Sequence, residues 1–218
     1  MAVRAICFAL ALAALGCRPA ARTSSPELAA ASKEKNISAM RDALEDMIDA
    51  KQAKESDREY AYEQSAKFAD DGSAGWPLAR AEIVGRYAES KGLKALWLVK
   101  EIESLVLQSI ERDADFDGSA ARRMLGTLYV LAGDHTEHGD SEEGLVILED
   151  LVDANGEDVR ARLRLAEGYV FLGDPDPALE HLCFANDQRA QLRPSEGRLL
   201  DRLFGDVGGI AAAGCGGG

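Results

Sequence analysis

Two stretches of this chain share one pattern: Leu125-Gly-Thr-Leu-Tyr-Val-Leu-Ala-Gly-Asp134 and Leu165-Ala-Glu-Gly-Tyr-Val-Phe-Leu-Gly-Asp174. In both, a leucine and a tyrosine stand four residues apart, so they lie on one face of a helix. A small residue follows the leucine, Gly126 in the first stretch and Ala166 in the second, and it lets a partner helix approach closely. The two stretches therefore predict two equivalent helices.

A second block of matches follows at a different offset. Gly144 aligns with Ala178 and Leu148 with Leu182 at an offset of 34, whereas the tyrosines align at 40. The difference predicts a six-residue insertion over residues 135–140, between the two helices of the first copy. No segment shows the sustained alternation of a strand, so the chain from residue 38 onward is predicted to be all-α.

This period and these residues resemble the tetratricopeptide repeat, a helix-turn-helix unit with Leu-Gly-x-x-Tyr on its first helix and a small residue opening the second. The resemblance implies an array of helical hairpins, an α-solenoid, over residues 37–206. Stacked repeats need three or more units to bury a continuous core, so the earlier helices are expected to pack as divergent units. One helix is predicted to begin at Gly75-Trp-Pro77 and to end at Gly92, and residues 194–204 are predicted to form a C-terminal capping helix.

The amino-terminal segment has the features of a targeting signal. Arg4 precedes an apolar run over residues 5–15 that is too short to cross about 30 Å of hydrocarbon, which predicts a cleaved export signal over residues 1–16. Leu12-Ala-Ala-Leu-Gly-Cys17 is similar to the lipobox of bacterial lipoproteins, which implies that Cys17 carries lipid. A plain secreted protein with a structural Cys17 is the alternative. Residues 17–36 are expected to be a flexible tether, and residues 207–218 a flexible glycine-rich tail.

Charge and cysteine content argue against several classes of function. Lys and Arg number 25 against 38 Asp and Glu, and the net charge of -13 disfavours binding to the phosphate backbone of nucleic acid. The four cysteines include no Cys-x-x-Cys pair, so zinc-ribbon and dithiol spacings are missing. If Cys17 is acylated, Cys183 and Cys215 are the thiols that are left. An oxidising periplasm would favour a disulfide between them, which is a hypothesis at this point.

A run of aspartates resembles the start of a calcium loop. Asp113, Asp115 and Asp117 stand at alternate positions and are followed by Gly118. The twelfth position of an EF-hand loop requires a bidentate Glu, whereas this chain has Met124 there. The run therefore indicates a loop between two repeats.

The histidines offer no local catalytic arrangement. His135 and His138 lie in the polar insertion and are predicted to be solvated rather than to bind a metal. His181 and Cys183 stand two residues apart on a helix and point in different directions. Motifs of serine hydrolases, phosphate loops and zinc proteases are missing from the sequence. We therefore expect no enzymatic activity, no cofactor and no metal, with a site assembled from distant residues as the alternative.

The tetratricopeptide resemblance implies that the first helix of each repeat lines a concave face. Arginines on this face of an acidic protein could pair with carboxylates of a ligand or of a partner peptide. The apolar residues of the concave face have an alternative role, which is to pack between helices. The predicted face consists of Ala120, Arg123, Thr127, Val130 and Leu131 on one helix, and of Arg160, Leu163, Glu167, Val170 and Phe171 on the next.

Residues 113–129, the Gly139-Asp140 pair before the next helix, and the lipobox look like the T-component of TRAP transporters. The similarity covers residues 76 to about 186 and departs from the family at Gly144, where Ala is typical. It implies a periplasmic, lipid-anchored adaptor that works with a solute-binding protein. The alternative is a general cell-envelope scaffold that holds a peptide or protein partner in secretion or outer-membrane assembly. Arg18 after the cysteine favours the outer membrane by analogy with lipoproteins, and a homo-oligomer is compatible with either function.

Overall fold

The computed structural model describes residues 25–210 and 213–215, and every regular element in this part of the chain is helical. The predicted all-α class is confirmed. Residues 1–24, with the predicted signal and Cys17, lie outside the described residues. None of the described helices has the length and the apolar content that a membrane crossing requires.

The helices are α1 (Pro26–Glu34), α2 (Ile37–Asp49), α3 (Glu55–Ser65), α4 (Gly75–Lys91), α5 (Leu96–Arg112), α6 (Phe116–Ala132), α7 (Ser141–Ala154), α8 (Val159–Leu172), α9 (Ala178–Asp187) and α10 (Pro194–Asp206), with short 3-10 turns at Gly92–Ala95, Gly133–His135 and Arg189–Gln191.

The first helix lies within the segment that the sequence predicts to be a tether. The Ser25 hydroxyl accepts a hydrogen bond from the N–H of Leu28 (3.1 Å) and so caps the helix. Pro26 stands in the first turn, where a backbone N–H would have no hydrogen-bond partner within the helix, so proline is tolerated there. Leu28 and Ala31 are buried against α2 and α3. The predicted tether over residues 17–36 is therefore wrong from Pro26 onward. Two apolar side chains three residues apart hold a short helix, which the sequence does not reveal because it shows no apolar periodicity.

Two later helices follow their sequence signals. α4 begins at Gly75, has Pro77 in its first turn and ends before Gly92, whose φ of 56° favours glycine. The helix predicted at residues 194–204 is α10, which buries Leu200 and Phe204 in contact with α8 and α9.

The apolar core consists of clusters that follow one another along the chain. α1 to α4 share the first cluster, α4 to α6 the second, α6 to α8 the third, and α8 to α10 the last. Each of α4, α6 and α8 therefore packs into two neighbouring clusters. Helices that are adjacent in sequence contact each other, and α2, α4, α6, α8 and α10 also contact one another in that order.

The pair α6 and α7 meets at two glycines. A Cβ built on Gly144 would lie 2.6 Å from the backbone nitrogen of Val130 and 2.7 Å from the carbonyl oxygen of Gly126. A Cβ on Gly126 would lie 2.8 Å from Cγ of Leu148. The crossing therefore leaves no room for a methyl group at either position, which explains why this chain has Gly144 where the matching position of the next copy has Ala178.

The C-terminal segment is partly fixed to the helical domain. Cys183 of α9 and Cys215 form a disulfide, with their Cα atoms 5.1 Å apart. Ala213 is buried in the last cluster, and its N–H donates to the carbonyl of Gly209 (3.0 Å). The predicted flexible tail over residues 207–218 is therefore wrong at residues 213–215, because a covalent bond and a buried side chain hold that part in place.

The helix α10 also returns to the start of the domain. Oδ1 of Asp49, the last residue of α2, accepts the N–H of Ser195 (2.9 Å), and its Oδ2 pairs with Arg193 at 2.7 Å. The guanidinium of Arg198 donates to the carbonyls of Ile48 (2.9 Å) and Asp49 (3.2 Å). We call this set of contacts the α2/α10 joint. It connects segments almost 150 residues apart, and nothing in the local sequence pattern predicts it.

Candidate functional site

The predicted face is carried by α6 and α8, which contact each other. One carboxylate fixes their relative position. Oδ1 of Asp158 caps α8 by accepting the N–H groups of Arg160 (2.9 Å) and Ala161 (3.1 Å), while its Oδ2 lies 3.1 Å from the guanidinium of Arg123 on α6. The charge of Arg123 is thus used to hold α6 against the start of α8.

The other charged members of the predicted face are also paired within the chain. Nε of Arg160 lies 3.2 Å from Oε1 of Glu196 on α10. The buried carboxylate of Glu167 accepts from Arg164 (2.6 Å) and Arg202 (3.3 Å). Arg123 and Arg160, which we expected to pair with carboxylates of a ligand or of a partner peptide, are each paired with a carboxylate of this chain. The negative partners come from the start of α8 and from α10, which the comparison of the two repeats did not include.

These arginines form one crowded group of charges. Burial of Arg123 lowers the pKa of its guanidinium, and the neighbouring Arg160 and Arg164 lower it further, whereas Asp158 and Glu196 raise it. A ligand carboxylate could enter this group only by displacing one of the internal carboxylates. Recognition by simple addition of an anion is therefore unfavourable here.

The apolar members of the predicted face divide into buried and exposed residues. Val130 is 1% exposed and packs beside Leu148 in the core, so its assignment to a binding face is wrong. Val170 is half-buried against the last cluster. The Thr127 hydroxyl donates to the carbonyl of Arg123 (2.9 Å). Two further members are buried: Ala120 and Leu163.

Leu131 and Phe171 stay exposed, at 38% and 57% of their surface. They occupy matching positions of the two copies, 40 residues apart, near the ends of α6 and α8. The side chain of Arg202 on α10 is 65% exposed and contacts Glu167, one turn before Phe171 on α8. Arg160 is 43% exposed but lies at the start of α8, about 16 Å from Phe171 along the helix. We call Leu131, Phe171 and Arg202 the α6/α8 face. It offers two exposed apolar side chains and one exposed guanidinium, which suits a protein surface better than it suits a reaction.

Three charged residues in or around this face were missed from the sequence. Arg164 lies four residues after Arg160 and three before Glu167, so helical spacing alone places it on the same side of α8. Glu196 and Arg202 lie on α10, and their contact with α8 depends on how the whole chain folds.

The six-residue insertion is held by a buried carboxylate on α5. Glu103 accepts the hydroxyl of Tyr129 (3.0 Å) and the backbone N–H groups of Glu137 (2.7 Å) and His138 (2.9 Å). Burial opposes ionisation of Glu103, but these hydrogen bonds outweigh it, and together they lower the pKa of Glu103. Gly139 lies so close to the Tyr129 ring that a side chain there would overlap it. An open cleft of about 280 Å³ runs beside Glu103, whose oxygens are already occupied.

The aspartate run forms a tight turn at the start of α6. Oδ1 of Asp113 accepts the N–H of Asp115 (3.1 Å), and Asp117, Gly118 and Ser119 have positive φ angles of 49°, 61° and 58°. Right-handed helix begins only after this turn. Within residues 25–210 and 213–215, no three His, Cys, Asp or Glu side chains are grouped as metal ligands.

His181 and Cys183 serve separate structural contacts. Nδ1 of His181 lies 3.1 Å from the guanidinium of Arg162, and its ring stacks at 6.2 Å on that of Tyr169. Burial lowers the pKa of His181. Cys183 is joined to Cys215, so these two neighbours do not act on each other.

Comparison with known proteins adds no identity: no family model matches this sequence, and no curated protein does either.

Proposed function

We propose that this chain is a non-enzymatic adaptor of the bacterial cell envelope, built as an array of tetratricopeptide-like helical hairpins and anchored by lipid on Cys17. Equivalent settings of Tyr129 and Tyr169 support the repeat. The hydroxyl of Tyr129 donates to Glu103 on α5 (3.0 Å), and that of Tyr169 donates to Glu149 on α7 (2.6 Å). In both copies the tyrosine therefore reaches a glutamate on the helix immediately before its own.

The contacts between successive helices support the same arrangement. α4 packs with α5, α6 with α7 and α8 with α9, and the apolar clusters pass from one pair to the next. The small residues that open the second helices, Gly144 and Ala178, are both buried. This order of contacts is what a stack of hairpins requires.

The observation that carries the function is the pair of exposed apolar side chains on the α6/α8 face. Phe171 and Leu131 stand at matching positions on neighbouring helices, and the exposed guanidinium of Arg202 belongs to the same face. Exposed apolar side chains with arginine beside them are typical of the centre of a protein interface. We propose that a periplasmic protein docks here through one apolar anchor. By the resemblance to the T-component of TRAP transporters, the partner is a solute-binding protein for small organic acids.

The test is a cross-linked pull-down from membranes of the native host with the full chain and two variants. Phe171→Asp should abolish recovery of a solute-binding or permease subunit, because a charge replaces the anchor. Val146→Asp is the matched control, since Val146 is 53% exposed on α7 and lies outside the α6/α8 face.

The proteins recovered in the pull-down distinguish the transporter adaptor from the general envelope scaffold. Recovery of an identified secretion or outer-membrane assembly protein, lost in Phe171→Asp, would replace the transporter assignment by the general scaffold. Recovery that is equal in both variants would contradict docking at the α6/α8 face. Mass spectrometry of the amino-terminal peptide tests the anchor, and an unmodified Cys17 would contradict it.

A further inference from the structure

The turn between α4 and α5 displays an apolar group at one tip of the molecule. Leu93 is 86% exposed, Trp97 60% and Leu96 37%. All three fall within five consecutive residues, so they form one patch rather than scattered contacts. A compact protein gains nothing from such a patch in water, and contiguous exposed apolar groups mark surfaces that are covered by something else.

The tip is rigidly mounted. Gly92 turns the chain with a positive φ, and Ala95 and Leu98 anchor the turn in the core. The Trp97 ring meets the Tyr62 ring edge-on at 6.3 Å. Its exposure is therefore fixed by packing, because Ala95, two residues before it, and Leu98, directly after it, are buried.

The segment that carries the tip contains only basic charged residues, whereas the whole chain is acidic. Residues 91–100 contain Lys91, Lys94 and Lys100 and no acidic residue, in a protein of net charge -13. Lys91 pairs with Glu55 (2.5 Å) and Lys100 with Glu137 (2.7 Å). Lys94 is exposed and has no ion-pair partner among the described residues. Leucine, tryptophan and lysine together are the residues that enter the interface of an anionic bilayer.

The start of the described chain lies at the same end of the molecule as the tip. The pairs Arg41–Glu82 and Glu45–Arg86 advance in the same direction along α2 and α4, so these helices run parallel and end on the same side. Only two residues link α1 to α2, and helices in contact across so short a link run antiparallel. Pro26 therefore lies toward the end at which α2 and α4 terminate.

This position is within reach of a lipid on Cys17. Eight residues lead from Cys17 to Ser25, and eight residues span at most about 29 Å when extended. A membrane that holds the lipid would thus be close to the end that carries the tip.

We propose that the tip formed by Leu93, Lys94, Leu96 and Trp97 is a second membrane contact, which inserts its apolar side chains into a phospholipid surface that contains anionic headgroups. This inference rests on the proposed function in one respect, because the lipid anchor on Cys17 is what brings the tip close to the membrane. The exposed apolar side chains and the lysine are the reason that we expect the tip to bind lipid. The tip adds a second point of contact beside the lipid and orients the α6/α8 face relative to the bilayer.

The experiment measures which tryptophan reaches the lipid. The protein is purified from the cell envelope, reconstituted with vesicles of phosphatidylcholine and phosphatidylglycerol whose acyl chains are brominated, and its tryptophan fluorescence is recorded. Trp76→Phe leaves Trp97 as the sole tryptophan, and this variant should be quenched. Trp97→Phe leaves Trp76, which stands at the opposite end of α4, about 25 Å away, and this variant should not be quenched. Absence of quenching in Trp76→Phe would overturn the proposal.

Two further variants test the chemistry of the contact in the Trp76→Phe background. Leu93→Asp should reduce the ratio of inserted to free tips by about tenfold or more, because an apolar anchor becomes charged. Lys94→Glu should reduce it about fivefold or more with phosphatidylglycerol and little with phosphatidylcholine alone. Val146→Asp is the control and should leave quenching unchanged. Equal circular dichroism of all variants establishes that they fold.

The anchor and the tip are distinguished by mass spectrometry of the same samples. Acylated Cys17 without quenching of Trp97 would overturn the tip and leave the anchor in place. Quenching without acylation would overturn the anchor and support the tip. Dimers that disappear in Leu93→Asp, without quenching by lipid, would show that a second copy covers the patch and would overturn the membrane contact.

Discussion

At the scale of single residues, Glu103 shows how hydrogen bonds can stabilise a buried carboxylate. Its carboxylate is 1% exposed and lies among donors from two other segments, the Tyr129 hydroxyl of α6 and the backbone of the insertion. Hydrogen bonds to the charged form compensate for its removal from water. The sequence indicated the insertion and the tyrosine. It could not indicate their shared partner, which lies 26 residues before Tyr129.

Replacing Glu103 by Gln should lower the free energy of unfolding by about 1 to 3 kcal/mol. The glutamine amide has one acceptor oxygen and one NH2 group, whereas the carboxylate has two acceptor oxygens. The N–H of either Glu137 or His138 would therefore face the NH2 group and lose its hydrogen bond. Urea unfolding at neutral pH measures this change. Glu142→Gln is the control, because Glu142 is exposed and should change stability by less than about 0.5 kcal/mol.

The same carboxylate should make stability depend on pH. Because the pKa of Glu103 in the folded protein is lowered from 4.5, the carboxylate stabilises the fold above that pH, and this contribution is lost as pH falls through the folded pKa. The difference in unfolding free energy between the wild type and Glu103→Gln should therefore shrink below pH 4.5. A difference that stays constant with pH would contradict the role assigned to this group.

At the scale of helices, Gly144 sets the distance between α6 and α7. Gly144→Ala should destabilise the protein by about 1 to 3 kcal/mol, since the new methyl group would meet backbone atoms that cannot move aside. Gly205→Ala on α10 is the matched control. It has open space around the position, so it should stabilise by up to about 1 kcal/mol through a less flexible unfolded chain. Thermal unfolding of both variants measures this, and equal effects would contradict a close crossing.

The disulfide should fasten α9 to the C-terminal segment. Closing a loop with a sequence separation of 32 contributes about 3 to 4 kcal/mol by the chain-entropy model, so reduction should lower the unfolding free energy by that amount. The Cys183→Ser, Cys215→Ser double variant should not respond to reductant. Mass spectrometry of the non-reduced protein that finds both thiols free would contradict the bond.

Helices with strong local signals were predicted, and helices that depend on tertiary contacts were not. α4 has proline in its first turn and glycine after its last residue, and it lies where these residues place it. α1 has a weakly apolar sequence, and its two buried side chains became visible only with α2 and α3 around them. The ion pairs within the predicted face were not predicted for a similar reason, because the partners of Arg160 and Glu167 on α10 are set by long-range packing.

At the scale of the whole molecule, the α2/α10 joint links the first half of the domain to the last helix. Asp49→Ala should remove the carboxylate that holds both Arg193 and the N–H of Ser195, and should cost about 1 to 3 kcal/mol. Hydrogen exchange should increase at the end of α2 and at the start of α10 together. Asp46→Ala is the control, because its side chain is 81% exposed and makes one contact with Arg193 at 3.2 Å. Faster exchange in α10 alone would mean that the joint does not couple the two ends.

An array with free ends can grow by internal duplication, since every new unit copies an interface that already exists. This chain lacks that freedom, because its final helix is already engaged with α2. An additional hairpin would separate Asp49 from Arg193 and leave both charges without their partners. The α2/α10 joint thus limits the number of helices between residues 49 and 193, and variants of this protein should differ in loop length while keeping that number.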